Sequence, residues 1–74
     1  MKEAPGMSSV GRVTEITSSS GTSFEEAIRL GIERANKTLR RVKGAWIKEQ
    51  QIDVKDGQIV AYRVNMLVTF ILDD

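Results

Sequence analysis

Toward the C-terminus, apolar side chains fall on alternate positions: Val60, Tyr62, Val64, Met66, Val68, Phe70 and Leu72. Strand side chains point alternately to the two faces, so this spacing predicts a long strand with one continuously apolar face. The intervening Ile59, Ala61, Arg63, Asn65, Leu67, Thr69 and Ile71 mix apolar with polar residues and put Arg63 and Asn65 together on the opposite face. About 14 residues at about 3.3 Å each would extend roughly 46 Å. A chain this small cannot cover such a strand with its own mass, and cover from outside the chain is expected.

The pattern upstream supplies the partners. Residues 10–17, Val-Gly-Arg-Val-Thr-Glu-Ile-Thr, are rich in β-formers and predict a first strand, and the run Ser18 to Ser23 predicts a polar loop. Ser23-Phe24-Glu25-Glu26 fits a capping box, with the Ser23 hydroxyl accepting from the Glu26 amide and the Glu26 carboxylate returning to the Ser23 amide. Ile28, Ile32, Ala35, Leu39 and Val42 then recur at helical spacing, with Phe24 one turn before, predicting a helix with one buried stripe. Gly31 leaves room for close packing of that helix, at some propensity cost. Glu25 with Arg29, Arg29 with Glu33, and Glu33 with Lys37 can pair across a turn, while Arg40, Arg41 and Lys43 are expected near the negative end of the helix dipole.

From Gly44 the period returns to two. Ala45 and Ile47 share one face and Gly44, Trp46 and Lys48 the other, until Ile52 and Val54 imply that a bulge has exchanged faces. Asp56-Gly57 predicts a tight hairpin, since both residues tolerate the positive φ of a primed turn. Met1 to Ser9 is polar, without period, and holds the sole proline, so residues 1–9 are expected to form a loose tail and residues 10–74 a single domain. The fold class expected is α+β: a three-stranded antiparallel sheet curled around one helix, in the order β-α-β-β.

Composition narrows the function. The chain has 74 residues, no cysteine and no histidine, so it has neither a disulfide framework nor the usual nitrogen ligand for zinc or copper. Small unstapled domains often oligomerise, and a homo-oligomer is expected. Eleven basic and ten acidic residues leave a net charge of +1, which offers no electrostatic case for nucleic acid or an acidic membrane. No apolar run approaches the roughly 20 residues of a membrane span, and no signal-peptide core is visible. A cytoplasmic location is expected.

Catalysis has little support. A nucleophile with a histidine partner is lacking, and so is a phosphate-cradling glycine motif. Glu25 and Glu26 are accounted for by the helix N-terminus. The suggestive constellation is Trp46, Arg63 and Asn65, expected on one face with Gly44, Lys48 and Thr69. An indole beside a guanidinium and an amide offers a stacking plane and hydrogen-bond donors, which suits a flat heteroaromatic ligand. A tryptophan on an open face also serves as an interface anchor, and both readings stand.

Several segments together resemble the dodecin family. They are Val13-Thr14-Glu15-Ile16-Thr17 with the Ser/Thr/Gly loop, Thr22-Ser23-Phe24-Glu25-Glu26-Ala27-Ile28, Arg34-Ala35-Asn36-Lys37-Thr38-Leu39-Arg40, and Ala61-Tyr62-Arg63-Val64 running to Thr69-Phe70-Ile71-Leu72. The resemblance covers residues 10–72. It implies a β-α-β-β fold, a hollow shell of twelve subunits, and binding of riboflavin or flavin mononucleotide (FMN) for storage or sequestration, with no turnover. Flavin-binding dodecins usually carry the stacking tryptophan where this chain has Gly44, and Trp46 lies two residues on, displaced by roughly 6 to 7 Å along the strand. They also often carry a glutamine after the third-strand tyrosine where this chain has Arg63, which donates but cannot accept. In both respects the chain is similar to the branch described as calcium-binding, so a flavin-free shell that binds calcium or serves a structural role is the alternative. Candidate ligand-binding residues are Trp46, Arg63, Gly44 and Asn65; no calcium ligands can be assigned.

Overall fold

The computed structural model describes residues 9–39 and 41–72. The expected tail therefore lies, except for Ser9, outside the described residues, as do Arg40 and Asp73-Asp74. The elements are β1 (Gly11–Ser20), α1 (Phe24–Thr38), β2 (Val42–Lys55) and β3 (Gln58–Ile71). All three strands form one antiparallel sheet in the order β1-β3-β2, so the most apolar strand is the central one. The apolar alternation of β3 meets α1: Val64, Met66 and Val68 are fully buried with Ala27, and Ile16, Phe24, Ile28, Ile32, Leu39 and Ile47 pack around them.

The helix begins where the capping pattern places it. Ser23 is extended, and its Oγ accepts from the Glu26 amide at 3.0 Å. The reciprocal half of the box is replaced: Glu26 Oε2 accepts from Arg29 at 2.8 Å, and Arg29 also reaches Glu33 at 2.7 Å, so Arg29 pairs with Glu26 instead of Glu25. These carboxylates raise the Arg29 pKa, the hydrogen bond that Arg29 donates to Glu26 most of all. Ser23→Ala is expected to cost about 0.5 to 2 kcal/mol, read as a lower denaturation midpoint of the assembled protein; a loss at Thr22→Ala with none at Ser23→Ala would contradict this cap.

Three boundaries differ from expectation. Ser18, Ser19 and Ser20 extend β1 instead of opening a loop, because β3 offers them a ladder as far as Tyr62 and Ser18 is small enough to lie beneath Gly31. Ser20 Oγ then accepts from the Thr22 amide at 2.9 Å and closes the short turn into α1. The helix stops at Thr38, and Leu39 is already extended with its amide on the Ala35 carbonyl at 2.8 Å. Arg41 takes a left-handed φ of 58°, and Val42 and Lys43 belong to β2, so the helical spacing of Val42 and the dipole role given to Arg41 and Lys43 do not hold. Lys37 is the basic residue of the last turn. Strand β2 shifts register at three places, Val42/Gly44, Ile47/Glu49 and Asp53/Val54, where a single exchange of faces is expected from the pattern.

Asp56 and Gly57 have φ of 53° and 78°, the positive values that a two-residue primed turn requires between the paired Lys55 and Gln58. The hairpin outruns the rest of the molecule. The last pair of β1 with β3 is Ser20 with Tyr62, and the Phe24 ring meets Tyr62 edge-on with centroids 5.2 Å apart. Beyond that point β2 and β3 continue alone, and the molecule measures 55 × 21 × 19 Å. No helix among the described residues is long and apolar enough to cross a membrane.

Candidate functional site

The face of the sheet turned away from α1 is set by the β3 register. Across the sheet, Val13, Thr69 and Gly44 form one row, and Glu15, Leu67 and Trp46 the next. Thr17, Asn65 and Glu49 follow, then Ser19, Arg63 and Gln51. Trp46, Arg63, Gly44 and Asn65 thus share one face, but they are spread along it. Trp46 stands beside Leu67, two residues from Asn65 and four from Arg63, or about 7 and 13 Å along the strand.

Trp46 is 73% exposed. A Cβ built on Gly44 would meet nothing within 4 Å, so the space next to the indole is open. The polar candidates are engaged with neighbours. Asn65 Nδ2 donates to Glu15 Oε2 at 2.7 Å, and its Oδ1 accepts from Thr17 Oγ1 at 3.2 Å. Lys48, carried to this face within the bulge of β2, donates from Nζ to the same Glu15 oxygen at 3.1 Å. The Asn65 hydrogen bond, and then the hydrogen bond and charge of Lys48, hold the Glu15 carboxyl below its ordinary range. Arg63 donates from Nη2 to Asp53, forming an ion pair within the hairpin, while its buried Nε has no partner among the described residues.

Glu15, Thr17 and Asp53 are the hydrogen-bond partners on this face that sequence reasoning missed. Glu15 and Thr17 alternate with the core-facing Thr14, Ile16 and Ser18, so the face of β1 could be read once that strand is paired with β3. Asp53 could not, since it sits at a register shift whose position the alternation does not specify. Glu15, Thr17, Lys48, Asp53, Arg63 and Asn65 are thus engaged with one another, and Trp46 is the most exposed large apolar side chain. Among the described residues no three His, Cys, Asp or Glu side chains gather as a metal site.

The sequence model of the dodecin family matches residues 10–73. The chain belongs to that family. Its structure is similar to a dodecin from Streptomyces davaonensis at 37% identity, with a TM-score of 0.87 over 92% of this chain and 100% of that one. A dodecin from Streptomyces coelicolor matches at 27% identity and a TM-score of 0.85, over 89% and 94% of the two chains. The calcium-chelating immunodominant antigen of Mycobacterium tuberculosis, a calcium dodecin described with a novel calcium-binding site, matches at 32% identity and a TM-score of 0.76, over 88% and 93%. A comparison with curated proteins returned no match. Dodecins are small binding and storage proteins, known for flavin, and assemble as dodecamers.

Proposed function

We propose that this dodecin is a non-enzymatic, cytoplasmic binding and storage protein that holds riboflavin or FMN in a shell of twelve copies. The observation that carries the reading is the exposed indole of Trp46 beside the open space over Gly44. That surface fits one side of a flat heteroaromatic ring, and a flavin stacked there would be withdrawn from solvent. Arg63 lies about 13 Å from Trp46 along β3, so it would meet the far edge of a long ring lying on that indole, a phosphate, or a ligand held by a neighbouring copy. A guanidinium already paired with Asp53 gives up that pair on doing so, and stacked aromatic contacts contribute only about 0.5 to 1.5 kcal/mol beyond area burial. Binding weaker than in dodecins with the usual tryptophan follows from both.

The test is a riboflavin titration followed by flavin fluorescence, which stacking on an indole quenches. Partial quenching is expected, lost in Trp46→Ala and strengthened in Gly44→Trp, where the strand offers room for the side chain at the family's usual position. Stoichiometric quenching that survives Trp46→Ala would place the site elsewhere. The competing reading, a flavin-free calcium or structural shell, draws on the likeness to the calcium dodecin and on Gly44 and Arg63. No three acidic side chains gather among the described residues, so such a site would draw on carbonyl oxygens or on carboxylates of several copies. It is favoured if riboflavin leaves no signal with either variant while calcium raises the denaturation midpoint.

A further inference from the structure

Between Trp46 and Arg63, the face of the sheet turned away from α1 carries two cations, and each is held by a carboxylate. Lys48 Nζ donates to Glu15, and Arg63 Nη2 donates to Asp53. Asp53 lies diagonally across the β2-β3 ladder from Arg63, since Gln51 is the residue directly opposite and Asp53 pairs with Ala61, just before the last register shift. Glu49, in the row of Asn65, is exposed and has no ion pair among the described residues. Glu15, Glu49 and Asp53 thus stand against Lys48 and Arg63 alone, and neither cation waits free for an anion.

A ligand stacked on Trp46 and directed along β3 reaches Arg63 at its far end, and what it finds there is the ion pair. The Arg63 and Asp53 side chains are 41% and 36% exposed, so the pair is open to solvent and to a ligand. A phosphate can win the guanidinium only by displacing Asp53, which leaves that carboxylate unpaired on a face that already holds the unpaired Glu49. A hydroxyl group has no such conflict. It donates to a carboxylate and accepts from a guanidinium, whose several N–H groups are engaged here through one bond to Asp53, so it meets the pair intact.

We propose that Asp53, acting through Arg63, is a specificity-determining residue that makes this site take the uncharged flavin, riboflavin, in preference to FMN. The inference rests on the flavin reading above and adds the charge of the ligand and the residue that selects it. The polyhydroxyl chain of riboflavin runs toward the Arg63-Asp53 pair and is read by it, whereas the phosphate of FMN is refused there. Lys43, next to Gly44, is an exposed cation at the opposite end of the site, and a phosphate bound there would be indifferent to Asp53.

The test is a pair of titrations, riboflavin and FMN, into the assembled wild type, Asp53→Asn and Arg63→Gln, each followed by flavin fluorescence and read as the ratio of the two Kd values. A merely structural role for Asp53 would move both constants together and leave that ratio alone. The wild type is expected to bind riboflavin more tightly. Asp53→Asn should shift the ratio toward FMN by about tenfold, the size of one hydrogen bond to a charged group, and added salt should reduce that shift. Arg63→Gln, which leaves Asp53 without its cation, should move the ratio the other way, so the two variants test the idea from opposite sides even if one of them assembles poorly. Wild type that binds FMN at least as tightly as riboflavin would overturn the proposal, and so would a ratio unchanged in both variants while each flavin is still quenched. No quenching by either flavin in any of the three proteins would remove the flavin reading itself and this inference with it.

Discussion

Val64→Asp is expected to leave no folded, assembled protein. Val64 is fully buried at the middle of the central strand, opposite Ser18 of β1 and Gln50 of β2 and under α1. Replacing it removes about 1.5 to 3 kcal/mol of apolar burial and places a carboxylate in the apolar cluster of Ala27, Met66 and Val68. An unpaired buried charge costs several kcal/mol more or forces the group to take up a proton. The sum is comparable with the roughly 5 to 15 kcal/mol by which a typical domain is stable. Circular dichroism and light scattering should show an unfolded or insoluble chain. A soluble assembly of wild-type size would mean that the helix packs on the other face of the sheet.

Gly31→Val is expected to be the next most damaging change, for a steric reason. A Cβ at residue 31 would lie 2.5 Å from the Met66 methyl and 3.1 Å from Ser18 Cβ. The methionine end can swing aside, but it is buried in a packed core, and Ser18 is fixed in β1. For Gly31→Ala the gain in helix propensity, about 1 kcal/mol, roughly offsets the adjustment, and a small net change is expected. Valine adds two methyls where the first carbon already presses on both neighbours, and overpacking of this kind typically costs about 1 to 3 kcal/mol. The denaturation midpoint should fall clearly for Val and little for Ala. Equal midpoints would show that α1 stands farther from the sheet than the structure has it.

The features read directly from the sequence are those whose cause is local. Alternation from Val60 to Phe70, the Ser23 cap and the Asp56-Gly57 turn each reflect a backbone preference or periodicity carried by the residues themselves, and each is where the pattern puts it. Ser18 to Ser20 were not legible as strand, because serine has no strong preference and becomes a strand residue through its ladder to Arg63 and its neighbours. Val42 fits a helical stripe in spacing, and the left-handed Arg41 that diverts the chain leaves no sign in that spacing. At the candidate site the shared face of Trp46 with Arg63 and Asn65 could be read from alternation, but their separation along β3 could not. That separation follows from the register, and the register of β2 is set by bulges whose positions depend on the packed sheet.

The strand order has a consequence for how the molecule is made. The strand that both others pair with is the last of the three to be synthesised, since β3 occupies residues 58–71 and lies between β1 and β2. Until it emerges, β1 and β2 have no ladder to join, and α1 has no floor to cover. A nascent or truncated chain ending before Gln58 therefore holds no pair of strands in common, only an amphipathic helix with its apolar stripe in water. Folding must wait for the C-terminal strand and then proceed through contacts distant in sequence, which is slow relative to local closure and leaves apolar surface exposed in the interval. For a protein that must find many copies of itself, that delay keeps incomplete chains from presenting a finished subunit surface.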